Sequence, residues 1–179
     1  MKEVKATTRK VKNDLERGFT LLEVLIAVSV LTIGAIGMFA VVAQNIAFSS
    51  VVSNRLVAAY LAQEGVEIVR NIRDTNFLQI RRGVGTNWRA GLDGCSGGCE
   101  ADYDDTVLAP AASLRFLRKS GVLYSYDVGN DMIFKRKITI TPDGLTTKML
   151  VEVEVSWQER GASYKVLAAT ELYDWLFVP

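Results

Sequence analysis

The sequence predicts an α+β chain in which one long N-terminal helix, apolar in its first half and amphipathic in its second, packs on a C-terminal antiparallel sheet. Three observations carry the prediction. Residues 24–43 contain no charged side chain, apolar residues then recur at spacings of three or four up to about residue 74, and the last third of the chain alternates apolar and polar residues between short turns.

Residues 1–18 form a basic leader. Lys2, Lys5, Arg9, Lys10, Lys12 and Arg17 outnumber Glu3, Asp14 and Glu16, whereas the remaining chain holds 15 basic and 17 acidic groups, so the positive excess is entirely N-terminal. The segment 19–43 that follows is long enough, at about 1.5 Å rise per residue, to cross a hydrocarbon layer of about 30 Å. A basic flank before a span predicts a cytoplasmic N-terminus and an extracytoplasmic remainder. The apolar run exceeds the core of a secretory signal and leads into more helix instead of a cleavage site. Gly34 and Gly37 weaken the span locally, through close packing of small residues or through flexibility.

Segment 44–75 continues the helix, since no proline occurs before Pro110. Val57, Leu61, Gly65, Ile68, Val69 and Ile72 form the face to be buried, and Glu64, Glu67, Arg70 and Asp74 the solvated one. Two ion pairs are expected along it, Glu67 with Arg70 and Arg70 with Asp74. Segment 76–113 is Gly-rich and irregular. Its Cys95 and Cys99 are the only cysteines. Outside the cytoplasm a local disulfide is the favoured chemistry, with two reduced thiols as the alternative; two thiolates alone make a poor zinc site. Glu100, Asp102, Asp104 and Asp105 read as a solvated acidic loop, a calcium site lacking the required spacing. Segment 114–179 is the β head, with strands expected at 114–117, 122–128, 133–141, 148–158 and 163–173. Turns at Pro142-Asp143-Gly144 and Glu159-Arg160-Gly161 make the last three a meander.

Composition excludes much. The 179 residues include no histidine, which removes Ser-His-Asp and Cys-His nucleophiles and HExxH zinc sites. A net charge of +1 leaves no basic footprint for nucleic acid. No phosphate-binding or dinucleotide fingerprint occurs. Neither an enzyme nor a cofactor is expected.

Glu23 is the residue that needs a reason, because a carboxylate at the start of a span costs several kcal/mol unless it reaches the interface or a cation. Snorkelling to the headgroups is the plainer account. Its neighbours favour another: Arg17-Gly18-Phe19-Thr20-Leu21-Leu22-Glu23-Val24, after a basic leader and before a full span, resembles the processing motif of the type IV pilin superfamily. The resemblance implies a pilin fold and removal of the leader by a prepilin peptidase between Gly18 and Phe19. It further implies N-methylation of Phe19 by the same enzyme, and a role for Glu23 in assembly, facing the terminal amine of a neighbouring subunit. It implies as partners other pilin or pseudopilin subunits, the peptidase/methyltransferase, an inner-membrane assembly platform, and the lipid bilayer before assembly. A minor pilin similar to the PilV type, or an I-type pseudopilin of type II secretion, is the expected subtype. A bitopic sensor or enzyme on an uncleaved anchor is the alternative from another class.

Overall fold

The computed structural model describes residues 18–85, 87–144 and 147–175, so nearly all of the basic leader lies outside the described residues. A single helix, α1, spans Leu21–Arg81. The chain divides into two compact units, residues 1–47 and 48–179.

Within the first unit, α1 exposes its apolar side chains, among them Leu25, Ile33 and Phe39. By length and composition it can cross a membrane.

The second unit is the α+β part. Its strands are β1 (Cys99–Glu100), β2 (Ala109–Pro110), β3 (Arg118–Ser120), β4 (Leu123–Ser125), β5 (Asn130–Asp131), β6 (Phe134–Pro142), β7 (Lys148–Glu159) and β8 (Ala162–Tyr173). A five-stranded antiparallel sheet has the order β2-β1-β6-β7-β8, and β4-β3-β5 form a small second sheet. Alternation determines which side of β7 is buried: Met149, Val151, Val153, Val155 and Trp157 point inward while the intervening residues stay partly exposed. Ala58, Leu61, Ala62, Val69 and Ile72 of α1 share the core with them. The helix approaches the sheet closely at Gly65, where an added Cβ would lie 2.7 Å from Val153 Cγ1 and 3.2 Å from Arg136 Cδ. Glu159 at the end of β7 accepts bonds from Ser50 Oγ at 2.5 Å and Asn54 Nδ2 at 2.9 Å, which hold its carboxyl below the usual range. The β7–β8 connection has Arg160 at φ 52° and Gly161 at φ 80°. Two consecutive left-handed residues are what a two-residue hairpin turn needs to match strand twist.

Several expectations require correction. The helix ends at Arg81, not near residue 75, because its last turns also have something to bury. Phe77 lies between Trp88 and Trp175, at centroid distances of 5.9 and 4.6 Å, and the Asn76 amide donates to the carbonyls of Trp88 (3.0 Å) and Ala90 (2.8 Å). Gly83, at φ 74°, ends the helix. Residues 114–117 are not a strand; Leu117 is fully buried and exchanges backbone bonds with Phe134 and Met132, both 2.8 Å, while β3 begins one residue later. The segment expected at 122–128 keeps only Leu123–Ser125 as strand, and β5 was not anticipated. The Gly-rich segment 76–113 is not wholly irregular, since β1 and β2 extend the main sheet from within it. Glu67 and Arg70 pair at 2.6 Å, but Asp74 pairs with Arg73 at 2.7 Å, and Arg70 instead reaches Thr170 Oγ1 at 3.3 Å.

Candidate functional site

The start of α1 is built by Thr20 and Glu23. Thr20 Oγ1 accepts the Glu23 backbone N–H at 3.2 Å, and Thr20 O accepts from Val24 N, also at 3.2 Å. A Thr followed three residues later by Glu is the spacing of a capping box, and an acid in the first turn complements the positive end of the helix dipole. Sequence reasoning missed this local role, although the Thr-x-x-Glu spacing signalled it.

Gly18 and Phe19 precede the helix, and Phe19 is 81% exposed. A Cβ at Gly18, Gly34 or Gly37 would meet nothing within 4 Å. The described chain therefore imposes no packing requirement for glycine at these positions, and any such requirement comes from a partner. Ser29 Oγ donates to Leu25 O and Thr32 Oγ1 to Val28 O, both at 2.7 Å. These two hydroxyls are satisfied inside the helix, as an apolar solvent demands.

In the second unit, Cys95 and Cys99 are joined by a disulfide with Cα atoms 5.3 Å apart. Both are buried, and Cys95 O accepts from Ile140 N at 3.2 Å, so the bridge is seated against β6. The acidic residues that follow are not a uniformly solvated loop. Glu100 is buried and accepts from Arg115 N at 2.6 Å and Arg115 Nε at 2.7 Å. Asp102 is buried beneath the Tyr126 N–H at 2.9 Å, and Asp105 accepts from Asp102 N at 2.7 Å. These carboxylates hold loops together. Among the described residues no group of three or more His, Cys, Asp or Glu side chains is placed to hold a metal ion.

Arg136, the largest fully buried side chain among the described residues, was also missed. It occupies an inward position of β6 between Phe134 and Ile138, and a charge at that parity was the available signal. Its guanidinium donates to Ala101 O at 2.7 Å and Leu61 O at 3.4 Å and lies 3.6 Å from Glu64 Oε2. Glu64 is therefore partly withdrawn from the solvated helix face assigned to it. Burial raises its carboxyl, and attraction to Arg136 offsets only part of that. Tyr126, whose hydroxyl donates to Arg136 O at 3.3 Å, is pushed up to about 12 by burial. A charge held by backbone carbonyls of the helix–sheet core is scaffold chemistry. The group at the head of α1 is exposed and adjacent to an exposed apolar surface.

A family model described as the prokaryotic N-terminal methylation motif matches residues 14–39, which include Gly18, Phe19 and Glu23. No curated protein and no solved structure matches the chain. The chain thus carries a prepilin-type N-terminal methylation motif at the head of a helix able to span a membrane, which supports a place in the type IV pilin superfamily.

Proposed function

We propose that this chain is a structural subunit, of the minor class, in a type IV pilus or related filament. It is held in the cytoplasmic membrane by the first unit of α1, with its N-terminus in the cytoplasm and the β head outside. A prepilin peptidase removes residues 1–18 by cutting between Gly18 and Phe19, and Phe19 is then N-methylated. The observation that carries this reading is the match over residues 14–39 together with the exposed, uncharged helix surface that follows.

Trimming creates an α-amine, which carries a positive charge when protonated. Glu23 lies in the first turn behind it and supplies an anion whose cost in an apolar setting falls when it meets the cation of a neighbouring subunit. The pairing would also set the register between helices. The Thr20 cap holds the helix start close to the new terminus. The exposed apolar surface of residues 21–42 then exchanges lipid for the helices of sister subunits.

N-terminal analysis of the mature chain tests this: a sequence beginning at N-methylated Phe19 is expected, and native protein retaining Arg17-Gly18 would overturn it. A type II secretion or competence pseudopilin is the second reading, because the same motif serves both. Recovery of the chain from sheared surface filaments supports a pilin, and absence from them supports a pseudopilin.

A further inference from the structure

Between Glu23 and Arg55, α1 carries no charged side chain, so residues 24–54 form an uncharged rod about 46 Å long at 1.5 Å rise per residue. A bilayer with its headgroup regions is about 40–45 Å thick, and a span that starts at Glu23 meets the opposite headgroups close to Ser50 and Asn54. Those two residues hold the β7–β8 turn: Ser50 Oγ and Asn54 Nδ2 donate to the two carboxylate oxygens of Glu159. The turn is thus tied to α1 beside its first charge after the rod, the exposed Arg55.

The turn also breaks a local rule. Arg160 has φ 52°, a conformation that Asn or Gly adopts with less strain, and it is exposed. Beside the turn a cavity of about 440 Å³ opens, its lining including Phe116, Ile133, Lys135, Ser156, Gln158 and Ser163. Gln158 and Ser163 are paired one residue from Glu159↔Ala162, which closes the turn. Lys135 is the one charged residue in the lining, with its ammonium 4.5 Å from the Phe116 ring. Arg55, Arg160 and Lys135 form no salt bridge among the described residues. The acids on this part of β7 are already engaged, Glu159 by Ser50 and Asn54, and Glu154 by Lys165 at 3.1 Å. Three cations are therefore left facing outward, beside hydroxyl and amide donors and the partly exposed apolar wall of Phe116 and Ile133. A phosphodiester with an apolar body matches all three kinds of group.

We infer that this end of the β head binds the headgroups of anionic phospholipids. Lys135, Ser156, Gln158 and Ser163 take one phosphate in the cavity, and Arg55 and Arg160 meet its neighbours. The inference rests on α1 spanning a bilayer but uses neither trimming nor the motif at 18–23.

The test uses the full-length chain in nanodiscs of phosphatidylcholine, alone or with phosphatidylglycerol added. A bimane is attached at Ala162→Cys, where Cys95 and Cys99 do not compete because they are buried and bonded to each other. Quenching by a nitroxide on the lipid headgroups then reads contact between turn and membrane surface. Phosphatidylglycerol should increase the quenching, and added salt should reverse the increase. Lys135→Gln or Arg160→Asn should each reduce that increase about fivefold, the factor for one cation at an anionic surface. Arg160→Lys should retain it. Arg160→Asn should also melt no lower than the parent, because Asn suits the turn, so a folding defect cannot account for its loss. Arg81→Gln removes the same charge in the last turn of α1, roughly 40 Å from Arg55, and should change nothing. Equal quenching in the two lipid mixtures, full quenching in Lys135→Gln and Arg160→Asn, or an equal loss in Arg81→Gln would overturn the inference and leave the anchor standing. A chain that does not enter the discs would overturn the anchor reading and this inference with it.

Discussion

At Gly65 helix and sheet approach closely, and a methyl group there gives a sharp test of the packing. An added Cβ would lie 2.7 Å from Val153 Cγ1, well inside the ordinary contact range of 3.4–4 Å. Val153 is fully buried in mid-strand, so it has little freedom to retreat. In an open helix, Gly→Ala stabilises by about 1 kcal/mol. Overpacking of this kind costs about 1–3 kcal/mol, so Gly65→Ala should be destabilising by roughly 0–2 kcal/mol. Val153→Ala alone should cost about 2 to 3 kcal/mol through lost burial and the cavity it leaves. Once Val153 is shortened, the methyl introduced at position 65 fills part of the space and the helical gain returns. The double variant should therefore be more stable than the sum of the singles predicts, by about 1–3 kcal/mol. All three tryptophans, Trp88, Trp157 and Trp175, lie in the second unit, so thermal unfolding of the full-length chain in detergent followed by their fluorescence reads this unit alone. Each kcal/mol corresponds to roughly 3–5 °C for a unit of this size. A Gly65→Ala chain that melts about 3 °C higher, with an additive cycle, would refute the close approach.

Four further outcomes follow from the same structure. Replacing Cys95 and Cys99 by Ala removes a bridge between residues four apart, and the chain-entropy relation gives a loss of about 2 kcal/mol, read as a lower melting temperature. Glu64 binds its proton more tightly folded than unfolded, so its contribution to stability is complete below pH 4.5 and is lost as pH rises through its raised value. Glu64→Gln should accordingly match the parent chain near pH 4 and equal or exceed its denaturant midpoint at pH 7. A large loss at pH 7 would mean that the attraction of Arg136 outweighs burial. Arg136→Met leaves the carbonyls of Ala101 and Leu61 without this donor and should cost about 2–5 kcal/mol in the same titration. For assembly, Gly18→Leu should leave untrimmed chain in the membrane, whereas Glu23→Val should be trimmed normally yet reach sheared filaments in reduced amount; normal incorporation would show that the charge pairing is dispensable.

Much of the architecture is legible in the order of residues alone. The uncharged run 24–43, the 3.6-residue face through Leu61, Ile68 and Ile72, and the alternation through Met149 to Trp157 are one-dimensional records of a solvent boundary, so they predict helix, strand and inward face directly. The motif around Gly18, Phe19 and Glu23 is equally legible, because a signature made of contiguous residues needs no folding to be recognised. Long-range partnership is not. Arg136 lies among carbonyls and a carboxylate supplied by residues 61, 64 and 101, and Leu117 is held by Phe134 and Met132; neither set is marked by spacing. Glu100 and Asp102 read as solvent-facing acids in the sequence, yet Arg115 and Tyr126 reach them from outside the loop.

By itself, then, the sequence determined the elements whose cause is local: periodicity against lipid, water or core, and a linear recognition motif. Only the tertiary structure decided which charges are buried, where α1 stops, and which strand is left at the edge. Each of those depends on groups distant in sequence arriving together, where a buried charge or backbone group is tolerated only if another part of the chain satisfies it.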